Sequence, residues 1–258
     1  MSFPLSAAFL HAGSLAAWLR SFFGRGTARP APIHPFDLRY AVETDGLLYA
    51  PDLAAGHAHD LFNEGYYATA PSLFAGAVAC WRQTLTAGKG EDYTFIDLGC
   101  GKGRVLLLAS ELPFRSVRGI ELNPRLVRIA RRNLRKWLGS PRACRRVTAE
   151  RGDVLDLELP AGPVLLFLFN SFTAEVLAPL IERLALAAFQ RTAPIDLLYV
   201  HPDLARLVTR TLGMEPLCRT EIPFSLEDTA ADVFQVASDA VAIYRIPPAL
   251  QRRGASGH

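Results

Sequence analysis

The stretch "FIDLGCGKGR", residues 95–104, joins a short apolar run to the start of an amphipathic segment. Three glycines stand two apart within it: Gly99, Gly101 and Gly103. This spacing predicts a tight turn from a strand into a helix, where a ligand can approach the main chain. The dinucleotide fingerprint would need glycine at position 104, where this chain has Arg104. Asp97, two residues before the first glycine, would repel a pyrophosphate and attract a cation.

An alternation of short apolar runs and helical patterns begins at Tyr93. Strands are predicted at 93–98, 116–122, 164–170 and 195–202. Helices are predicted at 103–112, 124–138, 174–189 and 203–213. Two further strands, 231–237 and 240–246, follow each other without a helix, which predicts an antiparallel hairpin. The expected fold is therefore a three-layer, Rossmann-like α/β fold whose mostly parallel sheet ends in this hairpin.

The composition limits the possible classes of protein. The chain has 258 residues, of which 50% are hydrophobic and 21% are charged. Such a chain can bury a sizeable core, and a wholly disordered protein is excluded. The net charge of +3 is too small for a general polyanion binder. Four cysteines are scattered without a C-x-x-C pair, so neither a zinc knuckle nor a disulfide framework is indicated, and a reducing, cytoplasmic setting is expected.

An apolar segment without formal charge occupies residues 3–19. It falls short of the ~20 apolar residues that span a bilayer and lacks a basic start. We therefore favour a helix that packs on the domain or lies on a surface, with peripheral membrane association as the alternative. The predicted organisation is a helix and linker at 1–35, a helical extension or lid at 36–90, the α/β domain at 91–248 and a tail at 249–258.

Two more acids follow the next predicted strands. Glu121 lies at the tip of the second strand, 18 residues after Gly103. An acid in this position can accept both hydroxyls of a ribose. Asp153 lies where a third strand would end and could face the edge of an adenine. Together with Asp97, these acids outline a site for a cationic nucleoside, although each acid alone could cap a turn or pair with an arginine.

The motifs "DLGCGKGR" at 97–104 and "GIELNP" at 119–124 resemble the first two motifs of class I S-adenosylmethionine-dependent methyltransferases. The resemblance extends over roughly residues 93–246. It implies S-adenosyl-L-methionine as the cofactor, with the first motif at its methionine part, the acid after the second strand at its ribose, and the acid after the third strand near its adenine. The cofactor-binding residues that it implies here are Asp97, Gly99, Cys100, Gly101, Gly103, Glu121, Leu122, Asp153 and Val154.

A narrower similarity links the chain to uncharacterised bacterial methyltransferases with a DLGSGKGR-type first motif. Those proteins have an FD-x-x-Y opening and an upstream tyrosine segment, matched here by "FDLRY" at 36–40 and "GYYATAP" at 65–71. The resemblance implies that Tyr66, Tyr67 and Thr69 help to cover the cofactor. Ordinary packing is an equal alternative for the tyrosines. This subgroup leaves the methyl acceptor open.

The fourth predicted strand ends in "NSF", residues 170–172. Related enzymes often have N-P-P-Y or N-P-F here, beside the methyl acceptor. Asn170 is therefore the predicted catalytic residue, whose amide would orient the acceptor, while Ser171 in place of proline leaves the preference for a nitrogen acceptor open. A cap on the following helix is an equal alternative for Asn170. His201, at the end of the fifth strand, is a weaker candidate for a base.

Arginine supplies 25 of the 28 cationic side chains. On the predicted helix 124–138, the residues expected to point mostly outward are Arg125, Arg128, Arg132, Arg135 and Lys136. A solvated face is the ordinary explanation. Contact with RNA or an anionic surface is the alternative, and a module that binds through this face without catalysis is the rival function.

The residues His57, His59 and Asp60 are possible metal ligands, but their spacing is a weak signal, and no metal is assigned. The methyl acceptor is unidentified. A protein side chain is the first expectation, a small amine or hydroxyl compound the second and RNA the third.

Overall fold

A computed structural model describes residues 33–85, 90–137 and 142–248 of the chain. The strands are β1 (Thr94–Leu98), β2 (Ser116–Glu121), β3 (Val147–Arg151), β4 (Val164–Phe169), β5 (Ile195–Val200), β6 (Cys218–Pro223) and β7 (Ser238–Ile246). The helices are α1 (Pro35–Tyr40), α2 (Pro71–Gln83), α3 (Arg104–Ser110), α4 (Pro124–Lys136), α5 (Ala174–Phe189), α6 (Ala205–Leu212) and α7 (Leu226–Ala231). The apolar segment 3–19 and the tail 249–258 lie outside the described residues.

All seven strands form one sheet in the order β3-β2-β1-β4-β5-β7-β6. The pairs from β3 to β5 are parallel, and β7 runs antiparallel to both β5 and β6. The predicted fold, a mostly parallel Rossmann-like sheet with a terminal antiparallel hairpin, is confirmed. The strand order reverses between β1 and β4, where α/β sheets bind their ligands.

The central strands of the sheet are buried on both faces, and an apolar layer covers each side. Phe95 and Phe167 pack on one side under α2 and α3. Ile96 follows Phe95 on β1, and Leu166 precedes Phe167 on β4. Both pack on the other side of the sheet, under α5 and α6. Asp97 therefore faces the same side of the sheet as Phe95, at the carboxyl edge.

The predicted strand 231–237 is wrong. The Asp232 carboxylate accepts hydrogen bonds from the main-chain N–H groups of Phe234 and Val236, at 2.8 and 3.2 Å, and thereby holds the chain in a turn. Gln235 has a left-handed φ of 57°, which a regular strand does not allow. The partner of β7 is instead β6, an edge strand that ends at Pro223. Five of its six residues are exposed or half-exposed, so the strand has little apolar signal in the sequence.

The start of α4 was predicted correctly. The Asn123 side chain accepts hydrogen bonds from the N–H groups of Arg125 and Leu126, and Pro124 occupies the first turn. The helix ends at Lys136, two residues before the predicted end at 138. This anchoring matters for function because Asn123 lies two residues after Glu121.

Within the three described ranges, no helix is both long enough and apolar enough to cross a membrane. The four cysteines are free thiols.

A buried carboxylate fastens α2 to the sheet. Asp196, on β5, is fully buried and accepts a hydrogen bond from Trp81 Nε1 at 2.7 Å. Arg245, directly opposite on β7, donates two more from Nε and Nη2, at 2.7 and 2.8 Å. Such a bidentate pair satisfies both charges at once.

We expect Asp196→Ala to lower the free energy of unfolding by about 3–5 kcal/mol, because it leaves the Arg245 charge without its partner in a mostly buried position. The control is Glu227→Ala, which removes the exposed pair with Arg39 and should cost less than about 1 kcal/mol. Denaturant unfolding measures both variants. Equal losses would show that the Asp196 cluster does not support the fold.

Candidate active site

A cavity of about 90 Å³ lies at the carboxyl edge of the sheet, at the reversal between β1 and β4. Its walls include nine of the predicted residues: Asp97, Gly99, Cys100, Glu121, Leu122, Asp153, Val154, Tyr67 and Thr69. Four separate stretches of chain bring them together, since they come from the glycine turn, the end of β2, the turn after β3 and the segment before α2. Gly101 and Gly103 are not among the residues that line it.

Two carboxylates, those of Asp97 and Glu121, lie in the wall of this cavity. Asp97 is 4% exposed. Burial and, secondly, repulsion from the Glu121 charge raise the pKa of Asp97 well above its ordinary value. Burial also raises the pKa of Glu121, although main-chain N–H groups oppose that shift. Both acids would be stabilised by a cationic ligand.

Glu121 also fixes the shape of the glycine turn. Its Oε2 accepts a hydrogen bond from Gly101 N–H at 2.9 Å, and its Oε1 accepts one from Asn123 N–H at 2.8 Å. The Gly99 and Cys100 N–H groups donate to the Ile120 carbonyl at 2.9 and 3.0 Å. The turn after β1 is therefore bound to the end of β2, and the two acids are held at neighbouring strand tips.

The later glycines of the motif serve close packing. A Cβ atom at Gly101 would lie 2.2 Å from the Tyr66 ring, which covers the turn. A Cβ atom at Gly103 would lie 3.1 Å from the side chain of Ala130 on α4. Both glycines have left-handed φ angles, of 52° and 87°. Gly103 thus allows α3 to approach α4, and Gly101 allows a tyrosine to lie on the main chain.

A buried arginine joins the N-terminal "FDLRY" segment to the glycine motif. The Arg104 side chain is 3% exposed. Its Nε donates to Thr44 Oγ1 at 2.6 Å, and its Nη2 lies 2.5 Å from Asp45 Oδ1 and 3.4 Å from Asp37 Oδ1. Because Tyr66 in turn donates to the Thr44 carbonyl at 2.5 Å, this network places the tyrosine segment over the turn.

The histidines form a cluster that differs from the one suggested by sequence. Asp60 turns inward and accepts N–H groups of Ala55 and His57. Asp153 takes its place, with Oδ2 2.5 Å from His59 Nδ1 and 3.9 Å from His57 Nδ1. The ligand atoms of His57, His59 and Asp153 all lie within 4.8 Å of one another. Asp153 Oδ1 also accepts a hydrogen bond from Leu155 N–H. The Asp153 carboxylate therefore caps a turn and, through His59, also holds residues 57–69, the covering segment.

A second cavity, of about 160 Å³, adjoins the first. The two cavities share the residues Glu64, Gly65, Tyr67 and Phe169. Most of the second wall is apolar, and it includes the aromatic residues Tyr49, Phe224 and Phe234. A donor in the first cavity and an acceptor in the second would meet where the shared residues lie.

Asn170 lines the second cavity, immediately after β4. Its Oδ1 accepts a hydrogen bond from Tyr199 OH at 2.8 Å, and its Nδ2 donates to Asp203 Oδ2 at 3.2 Å. The N-cap of α5 is Thr173, so the Asn170 amide does not cap that helix. A left-handed φ of 35° at Asn170 turns the chain sharply at the strand end.

His201 also lines the second cavity, between two carboxylates. Its Nδ1 lies 2.9 Å from Asp239 Oδ1, and its Nε2 lies 3.4 Å from Asp203 Oδ2. Burial disfavours the charged imidazolium, but these acids prevail and raise the pKa of His201 to about 10. A histidine that is already protonated near neutral pH is a poor general base.

Sequence reasoning missed the role of Glu64. The residue stands next to the quoted "GYYATAP" segment, and nothing in the local pattern separates it from any other loop acid. Its N–H donates to the Ser171 carbonyl at 3.0 Å, which holds the covering segment against the turn after β4. This pairing helps to place Glu64 in the walls of both cavities.

Comparison with known proteins agrees with the geometry. Residues 95–192 match the model of a family described as a methyltransferase domain. By this match, residues 95–192 resemble a methyltransferase domain. The sheet order agrees with the predicted class I S-adenosylmethionine-dependent methyltransferase fold. A search of curated proteins found no match.

Several solved structures resemble the methyltransferase domain in fold. An RNA methyltransferase from Salinibacter ruber, in complex with S-adenosyl-L-homocysteine, is 20% identical, covers 69% of this chain and 93% of its own, and has a TM-score of 0.42. The geranyl diphosphate C-methyltransferase of Streptomyces coelicolor A3(2) is 16% identical, with 66% and 75% covered and a TM-score of 0.44. The ribosomal protein L11 methylase of Lactobacillus delbrueckii is 14% identical, with 66% and 76% covered and a TM-score of 0.41. At these values the neighbours do not identify an acceptor.

The contact between Gly101 and Tyr66 in the methyltransferase domain is open to a direct test. We expect Gly101→Ala to lower the free energy of unfolding by about 1–3 kcal/mol more than Gly56→Ala, because only the first new methyl group meets an aromatic ring. Gly56 has a left-handed φ of 82° with open space around it, so both variants share the backbone cost of about 1 kcal/mol. Denaturant unfolding gives the difference. Equal losses would mean that Tyr66 does not rest on this turn.

Proposed function

We propose that this methyltransferase domain binds S-adenosyl-L-methionine in the first cavity and methylates a nucleophile held in the second. The observation that carries the proposal is the pair of acids, Asp97 and Glu121, at the tips of adjacent strands. Burial disfavours the charged form of both acids, and the Glu121 charge further disfavours that of Asp97. A cationic nucleoside would relieve both effects. Repulsion of this kind would disfavour a pyrophosphate.

The residues present fit that cofactor. Gly99 lines the cavity, and the close approach of Ser171 leaves no room for a side chain there, since a Cβ atom would lie 3.0 Å from the Ser171 side chain. We assign Asp97 and Gly99 to the methionine part of the ligand and Glu121 to the ribose. Leu122, Asp153 and Val154 are assigned to the adenine. When bound, S-adenosyl-L-methionine supplies an activated methyl group on a positively charged sulfur.

The protein's own contribution is positioning and exclusion of water. The covering segment carries Tyr66, Tyr67 and Thr69, and it is tied down by Arg104 on one side and by the Ser171 carbonyl on the other. We assign the orientation of the acceptor to Asn170, whose amide is itself held by Tyr199 and Asp203. A small displacement there, of ~1 Å, can cost ~100-fold in rate.

The acceptor is proposed to be a protein side chain or a small amine or hydroxyl compound, ahead of RNA. The apolar second cavity supports this order, because its wall combines aromatic rings with acidic groups. The most direct experiment is transfer of a labelled methyl group into fractionated cell extract. Label in protein or in small molecules supports the order, and label confined to RNA reverses it.

Contact of α4 with RNA or an anionic surface is a separate proposal. Arg125, Arg128 and Arg135 are exposed on that helix. Two of its other arginines have local partners, since Arg132 pairs with Glu43 and Arg131 donates to the Ala149 carbonyl. Fewer arginines of α4 are thus available for an anionic partner than the sequence suggests. The ionic-strength dependence of binding to RNA and to anionic vesicles measures it.

Cofactor affinity should depend on pH through Asp97. In the free protein the pKa of Asp97 is raised, so the group is still protonated at a pH where an ordinary aspartate is ionised. A cation favours the ionised form, and binding therefore releases a proton. We expect the affinity for S-adenosyl-L-methionine to rise with pH above the range in which an ordinary aspartate ionises, by up to ~tenfold per pH unit for each proton released.

Calorimetry in buffers of different ionisation enthalpy measures the affinity and the released protons together. Asp97→Asn should flatten the pH dependence, whereas Glu158→Gln, at an exposed site, should leave it unchanged. An unaltered pH profile in Asp97→Asn would remove this carboxylate from the cofactor site.

A further inference from the structure

Glu64 stands at the junction of the two cavities. Its side chain is half-buried and belongs to the wall of both. Among the described residues, no cation and no hydrogen-bond donor contacts its carboxylate, and the like charge of Asp203 acts on it. A partly desolvated carboxylate without a counter-charge is costly unless a ligand provides one.

The acids around the second cavity outnumber its cations. Asp232 and Asp239 line the cavity with Glu64. Asp232 is engaged by Tyr67 OH at 2.5 Å, and Asp239 shares the single imidazolium of His201 with Asp203. Among the described residues of this wall, His201 is the one basic side chain. The local field favours a cationic guest and opposes a phosphate.

The remaining wall suits an aliphatic chain. Tyr67 packs edge-on against Phe234 at 5.4 Å between ring centroids and against Phe169 at 6.4 Å. Leu47, Leu48 and Val236 complete the apolar lining. Aromatic faces attract ammonium groups and pack well against methylene groups.

We propose that the second cavity receives a primary alkylammonium group as the methyl acceptor, and that Glu64 binds this ammonium and removes its proton. This inference rests on the proposed function. An ammonium nitrogen has no free electron pair, so it must lose a proton before it can act as a nucleophile. The N–H bond breaks, the electron pair stays on nitrogen, and the proton bonds to a carboxylate oxygen of Glu64.

The electrostatics of Glu64 suit that role. Burial and, secondly, the Asp203 charge raise the pKa of Glu64, which makes its carboxylate a better proton acceptor than an ordinary glutamate. His201 cannot serve, because its ring is already protonated near neutral pH. The proposal thus assigns the proton transfer to a residue that the local sequence pattern did not single out.

The test uses the full-length protein and probes of one chain length that differ in charge: n-butylammonium, 1-butanol and butyrate. Saturation-transfer NMR and calorimetry report binding without any turnover. We expect n-butylammonium to bind at least about tenfold more tightly than 1-butanol, and butyrate to bind more weakly than either. Equal binding of the ammonium and the alcohol, or no binding of the ammonium, would overturn the proposal.

Two variants localise the effect. Glu64→Gln keeps the shape of the side chain and should weaken n-butylammonium binding by about 10- to 100-fold, the range expected for one charged hydrogen bond. Glu182→Gln changes the net charge equally at an exposed position on α5 and should have no effect. Unchanged binding in Glu64→Gln would remove Glu64 from the site. Because the alcohol comparison uses wild-type protein, the proposal stays testable even if Glu64→Gln unfolds.

Two further arms separate the sources of the amine. A lysine-containing peptide that binds at least tenfold more tightly than n-butylammonium would indicate a protein substrate, whereas equal or weaker peptide binding would indicate a small amine. A short single-stranded RNA that displaces n-butylammonium would instead overturn the amine assignment. Titration with S-adenosyl-L-methionine is run separately. Failure of that titration counts against the proposed function, and failure of the amine titration alone counts against this inference.

Discussion

The reversal of strand order between β1 and β4 is the constraint on which the rest of the site depends. To the left of it the chain adds β2 and β3, and to the right it adds β5, so the loops after β1 and β4 diverge and leave a crevice. Asp97 and Glu121 reach the crevice from one side, and Asn170 reaches it from the other. A methyl donor bound on one side of this reversal and a methyl acceptor bound on the other can therefore meet in the crevice at one edge of the sheet.

The crevice carries an electrostatic strain that the fold alone does not relieve. Two carboxylates lie in the same buried space. In the described part of the chain, main-chain N–H groups donate to Glu121 but not to the Asp97 carboxylate. Stability is maintained elsewhere, in compensated clusters such as Asp196 with Arg245. The contrast between satisfied charges in the scaffold and frustrated charges in the cavities is the pattern expected where binding energy is to come from a ligand.

Sequence was sufficient for features with a local cause. The run "FIDLGCGKGR" contains both an apolar strand and the glycines that a turn with left-handed φ angles requires. Asn123 followed by Pro124 is by itself enough to mark the start of a helix. Where tertiary context decides, sequence was weak. "ADVFQVA" alternates like a strand, yet the Asp232 side chain holds it in a turn, while β6 pairs through its main chain with few apolar residues. The positions of Glu64 and of the His59–Asp153 contact follow from how the covering segment docks, and no short-range signal encodes docking.

The central claim is that the acids of the crevice bind S-adenosyl-L-methionine, and calorimetric titration of wild type and Glu121→Gln tests it most directly. The glutamine keeps the size of the side chain and removes its charge. The account predicts measurable binding to wild type and affinity lower by about 10- to 100-fold in the variant, with the fold intact by circular dichroism. Equal affinity in the two proteins, or no binding to wild type, would contradict the account.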